Sequence, residues 1–88
     1  MSSIAFTYHQ DPGHGWLEVP MSTVRYLGIG PKVSGYSYRS GDTAYLEEDC
    51  DAGLLMQACK AQGIEVKLIE AHDDRDSFIR RLPRFAPL

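Results

Sequence analysis

Residues 33–63 read VSGYSYRSGDTAYLEEDCDAGLLMQACKAQG, and their patterning decides the fold. Val33 to Arg39 and Thr43 to Glu48 flank Ser40-Gly41-Asp42, a triplet of turn formers between two strand-like runs. The pattern predicts a hairpin. Placing the loop at Ser40-Gly41 or at Gly41-Asp42 preserves the facing of every side chain. Tyr36, Tyr38 and Tyr45 then share one face, and Ser37, Arg39, Ala44 and Leu46 share the other. Beyond Glu48 the period changes. Leu54, Leu55, Ala58 and Cys59 recur at helical spacing, which predicts the main helix over 52–62. Asp49 or Asp51 is the expected N-terminal cap, and Gly63 sits where a left-handed stop belongs.

The flanking segments extend this reading. Residues 3–9 alternate, with Ile4, Phe6 and Tyr8 on one face, and Trp16 to Val19 return after the turn formers of 10–15. Residues 3–19 therefore predict a first hairpin. Pro20 ends it, Ser22 is the expected cap of a short helix through Leu27, and Gly28 stops that helix. Downstream, Ile64 to Ile69 alternates as a fifth strand. Asp74 or Asp76 is the expected cap of a last short helix carrying Phe78, Ile79 and Leu82, and Pro83 leaves residues 83–88 as an extended tail. The predicted order is β-β-α-β-β-α-β-α. This is an α+β fold: a small antiparallel sheet of two hairpins plus a fifth strand, with the main helix on one face and two short helices. With 88 residues, one domain over 1–88 is expected.

A hydrophobic fraction of 43% with 24% charged residues describes a globular chain rather than a disordered one. No apolar run reaches bilayer length, and the opening MSSIAFTYHQ lacks the basic start and apolar stretch of a signal peptide. A cytoplasmic protein without membrane contact is expected. If one helix carried both Cys50 and Cys59, nine steps would place them on opposite sides, too far apart for a disulfide, and reduced thiols fit that compartment.

The net charge of −3 is small, but its distribution is uneven. Asp42, Glu47, Glu48, Asp49 and Asp51 occupy a stretch without a base, whereas Arg75, Arg80, Arg81 and Arg84 face only Asp76. Acids ahead of a helix are favoured by its dipole, but only within the first turn, so four of them exceed the capping requirement. The excess points to a basic protein partner bound through Glu47, Glu48, Asp49 and Asp51, with anchoring by Tyr36, Tyr38 and Tyr45. The plainer account has the acids capping and solvated, and the tyrosines covered by the main helix. Arg80, Arg81 and Arg84 are candidates for contact with nucleic acid or an acidic partner, against a structural role at a helix end. The oppositely charged ends are also compatible with a homodimer.

Catalytic and metal chemistry find no pattern. His9, His14 and His72 with Asp11, Asp73 and Asp74 match no structural zinc spacing, and the acidic stretch lacks an EF-hand's alternation. No nucleophile elbow or phosphate loop is present, so neither a cofactor nor a catalytic residue is assigned; a small metal-dependent hydrolase using His and Asp is the enzymatic alternative. Taken whole, the chain resembles in manner the short accessory proteins of phages and mobile elements, anti-CRISPR proteins among them. The likeness lies in size, α+β composition, acidity and charged patches rather than in a motif. It implies inhibition by occupying a surface of a larger complex.

Overall fold

The computed structural model describes residues 2–86. Five strands form one sheet in the order β3-β4-β2-β1-β5. They are β1 (Ser2–Gln10), β2 (Gly15–Pro20), β3 (Tyr38–Ser40), β4 (Thr43–Glu47) and β5 (Ile64–His72). Two helices, α1 (Met21–Leu27) and α2 (Ala52–Ala61), complete an α+β fold with two single turns of 3-10 helix at Gly30–Lys32 and Phe78–Arg81.

Both expected hairpins form. β1 pairs antiparallel with β2, and β3 with β4 across the two-residue loop Gly41-Asp42. The sheet is nevertheless mixed, not antiparallel throughout. β5 lies parallel to β1, with Ile4 opposite Val66 and Tyr8 opposite Glu70. A parallel neighbour requires a crossover, and the chain from β4 supplies it through α2. β5 is thus an edge strand, and it runs to His72, beyond the expected Ile69.

Alternation divides the sheet into two faces. Leu17, Val19, Ala44 and Leu46 point to one side, where they join Phe6, Val24, Leu55 and Cys59 in the main core. Each fully buried aliphatic side chain there contributes roughly 1.5–3 kcal/mol. α1 and α2 cover this face, which is the side away from the tyrosines. Trp16, Tyr38 and Tyr45 occupy the opposite face, where Ile79 and Leu82 of the C-terminal segment pack on them.

Local chemistry departs from expectation at four places. The run 33–39 is not a strand throughout: only Tyr38–Ser40 pairs, because Pro31 and the 3-10 turn before Val33 commit that backbone to a loop. Pro20, not Ser22, occupies the N-cap of α1; proline's fixed φ joins the end of β2 directly to the helix. Ser77, rather than Asp74 or Asp76, caps the last turn by accepting from Ile79 N, and that turn is 3-10. Asp51 stands at the α2 N-cap without bonding to it, since its carboxylate is used elsewhere. Gly28 and Gly63 do take left-handed conformations after α1 and α2.

The expected tail is docked. Tyr38 and Arg84 form an isolated antiparallel bridge, Arg39 N donates to Pro83 O, and Phe85 N donates to Ser37 O. Phe85 then turns into the main core. The segment therefore wraps the β3 edge, contributing Ile79 to one face and Phe85 to the other. Pro87 and Leu88 lie outside the described residues.

Candidate functional site

Strand directions bring four segments together at one end of the sheet. β1, β4 and β5 finish there, and β2 and β3 begin there. A cleft of about 380 Å³ opens between them, lined by His14, Trp16, Tyr36, Tyr38, Glu47, Asp49, Cys50, Arg80 and Arg84. The β1–β2 turn, the loop before β3, the β4–α2 loop and the C-terminal segment each contribute.

The clasp that holds the cleft begins at Asp11. Its buried carboxylate accepts from the N–H groups of Gly13, His14 and Ser77, and from Arg80 Nε and Nη2 at 2.6 and 2.8 Å. The Arg80 fork and these N–H groups outweigh burial and hold the Asp11 carboxyl far below the usual carboxylate range. The same pair raises the Arg80 guanidinium. Arg80 lies 5.3 Å over the Trp16 ring, and Arg84 lies 4.9 Å over Tyr38 while donating to Gly35 O. Of the three candidate arginines, Arg80 is thus neutralised internally, Arg84 is stacked but carries no carboxylate partner among the described residues, and Arg81 is exposed away from the cleft lining.

The acidic stretch separates residue by residue. Asp51 is buried: it accepts from Ser34 N and Oγ and from Ser37 Oγ, which ties the loop before β3 to the start of α2. Glu47 is also buried, and its Oε2 accepts from Asp49 N and Cys50 N. Glu48 turns to the helix-covered side and accepts from the Tyr8 hydroxyl. Burial, that hydrogen bond and the Glu48 charge push the Tyr8 phenol up to about 12. Asp49 alone is exposed. The acids that exceeded capping therefore serve the fold in three of four cases.

The tyrosines separate as well. Tyr45 is buried beneath Phe78 and beside His9, and its phenol is raised by burial and by Glu18. Tyr38 is half-buried in the cleft wall, whereas Tyr36 is 66% exposed at its mouth. A Cβ at Gly15 would crowd the Tyr8 hydroxyl and its Glu48 partner, so the first residue of β2 leaves room for that pair. Cys59 is buried in the core and Cys50 is exposed, both free.

The three histidines do not converge. His9 bonds to Glu18 at 2.7 Å, His72 lies 4.0 Å from Asp74, and His14 sits in the cleft with its Nδ1 3.8 Å from Glu47 Oε1. His14, Glu47 and Asp49 each bring a ligand atom within 4.8 Å of the others. Partial desolvation and the carboxylates around it raise the Cys50 thiol, which suppresses its thiolate at neutral pH. Trp16 Nε1 is buried without an acceptor among the described residues, an arrangement that costs about 1–3 kcal/mol where nothing compensates it.

Sequence reasoning missed the clasp role of Asp11, the place of Trp16 in the cleft and that of His14. Asp11 read as a turn former and a neighbour of the histidines, and its partner Arg80 is 69 positions away. Searches of family models, curated proteins and solved structures return no match to this chain. No helix among the described residues is long and apolar enough to cross a membrane.

Proposed function

We propose that this protein is a small non-enzymatic binding module that docks on a basic surface of a protein partner and acts by occupying that surface, as an inhibitor of a larger complex does. The contact residues are Tyr36 and Asp49 at the cleft mouth, with Tyr38 and Arg84 as its aromatic and cationic wall. The observation that carries this reading is the pairing of an aromatic ring 66% exposed with a carboxylate free of internal duty, both lining one braced cleft. Tyrosine and arginine are enriched in binding hot spots, and Tyr36 and Arg84 supply both here, while Asp49 offers the charge that steers a basic partner. Asp73, Asp74 and Asp76 are exposed on the loop leading to Arg80 and add negative surface outside the cleft lining.

The test is kinetic. Immobilised protein captures its partner from a lysate of the producing cells, and association is then measured with the purified partner. The double reversal Asp49→Lys with Asp74→Lys slows association at least tenfold in low salt, and the difference shrinks in high salt. An association rate that ignores both the reversal and ionic strength overturns the reading. Capture of nucleic acid that depends on Arg81 and Arg84 would replace it.

A further inference from the structure

We propose that His14, Glu47 and Asp49 form a binding site for one divalent transition-metal ion, of the zinc, cobalt or nickel class, within the cleft. His14 comes from the β1–β2 turn, Glu47 from the end of β4 and Asp49 from the loop that follows; the β1–β2–β4 pairing brings their ligand atoms within 4.8 Å of one another. The Glu47 geometry is the first argument. Its Oε2 is occupied by two loop N–H groups, which fixes the carboxylate and leaves Oε1 directed at His14 Nδ1 across 3.8 Å. That distance is too long for a hydrogen bond and only slightly beyond the roughly 3.3–3.6 Å that bonds of about 2.0–2.2 Å at tetrahedral angles set between two ligands of one ion, so a small movement of the exposed His14 ring brings both onto it. Asp49 is exposed, so its side chain is free to rotate onto the same ion.

Trp16 supplies an independent observation. It lines the same cleft, its ring centroid lies 6.1 Å from that of His14, and its buried indole N–H lacks an acceptor among the described residues. A water or carboxylate completing the coordination of the ion provides one. One imidazole nitrogen and two carboxylates make a borderline-to-hard donor set, which suits these ions over soft cuprous copper. Three protein ligands leave at least one position open towards the cleft, as in sites that exchange their outer ligand. The site shares Asp49 with the docking surface, so an ion held there competes with a basic partner for that carboxylate; the inference does not rest on the docking reading, because the ion is tested on the isolated protein.

Trp16 is the chain's single tryptophan, so it reports locally. Zinc chloride titrated by calorimetry gives one site per chain, and nickel chloride, which is paramagnetic, quenches Trp16 fluorescence with the same stoichiometry. His14→Ala and Asp49→Asn each weaken both signals at least tenfold, whereas His72→Ala leaves them unchanged. Asp49 is exposed, so its variant keeps the fold, and circular dichroism verifies the same for His14→Ala. No saturable signal at millimolar metal overturns the site. So does binding that follows His72 and ignores His14 and Asp49.

Discussion

The two faces of the sheet are closed by different physics. One is sealed by two helices over an aliphatic core in which Leu17, Leu46 and Leu55 are almost fully buried. The other has no helix of its own: a single 3-10 turn and an extended segment lie on Trp16, Tyr38 and Tyr45, fastened by the Asp11–Arg80 clasp. The difference teaches where function can be accommodated. Helix packing leaves no polar surplus, whereas a face held by charge-assisted hydrogen bonds keeps carboxylates, guanidinium groups and rings together at its margin. The cleft lies on the second face.

The sharpest way to break that contrast is at Asp11. Asp11→Ala leaves Arg80 half-buried without its partner and strands three N–H groups, so a loss of about 3–5 kcal/mol is expected by chemical denaturation. Its effect should be largest on the aromatic face, read as exposure of Trp16 in fluorescence. The same carboxyl has a pH signature. Its folded pKa is depressed, so its contribution is present above the ordinary carboxylate value of about 3.9 and is lost as pH falls further. Asp11→Asn should flatten the acid limb of the stability curve below about pH 4; an unchanged limb would show that the clasp adds little.

On the helical face the matching probe is Leu55→Ala, which should cost about 2–5 kcal/mol through a cavity while leaving the Trp16 spectrum native. If both substitutions move Trp16 equally, the faces are one cooperative unit and the contrast fails. A smaller effect is expected at Tyr8, which couples β1 to the β4–α2 loop through Glu48. Its phenol is raised to about 12, so the neutral form is favoured by folding. Stability from it is complete below about pH 10 and declines as pH rises towards the folded value; Tyr8→Phe should remove that alkaline slope. Smallest in stability is Tyr36→Ala, expected within about 0.5 kcal/mol because the ring is exposed, yet it should abolish most partner binding. A Tyr36 variant that binds normally would move the docking surface elsewhere.

Local structure was legible because it is written locally. The Gly41-Asp42 loop, the Leu55 and Cys59 spacing of α2 and the left-handed Gly28 and Gly63 all follow from residues within a few positions of one another. What could not be read is non-local. Nothing in Ile64–His72 states that its partner is β1 or that the pairing is parallel, and alternation alone cannot tell which face a helix will choose. The acids illustrate the same limit: Asp51 looked surplus because Ser34 and Ser37, which use it, lie 17 and 14 positions earlier. Both candidate charge clusters were visible as clusters. That Asp49 and Tyr36 would meet Arg84 in one cleft required the C-terminal segment to wrap the β3 edge.

The parallel pairing of β1 with β5 also sets a timetable. Ser2 meets Ile64 and Asp11 meets Arg80, so the longest loops must close before either contact repays their entropy. Long-range strand pairing of this kind slows folding, so refolding slower than that of a helical bundle of equal length is expected in stopped-flow fluorescence. Until β5 pairs, the outer rim of β1 is an open edge, to which a strand of another chain in a crowded solution can add in its place.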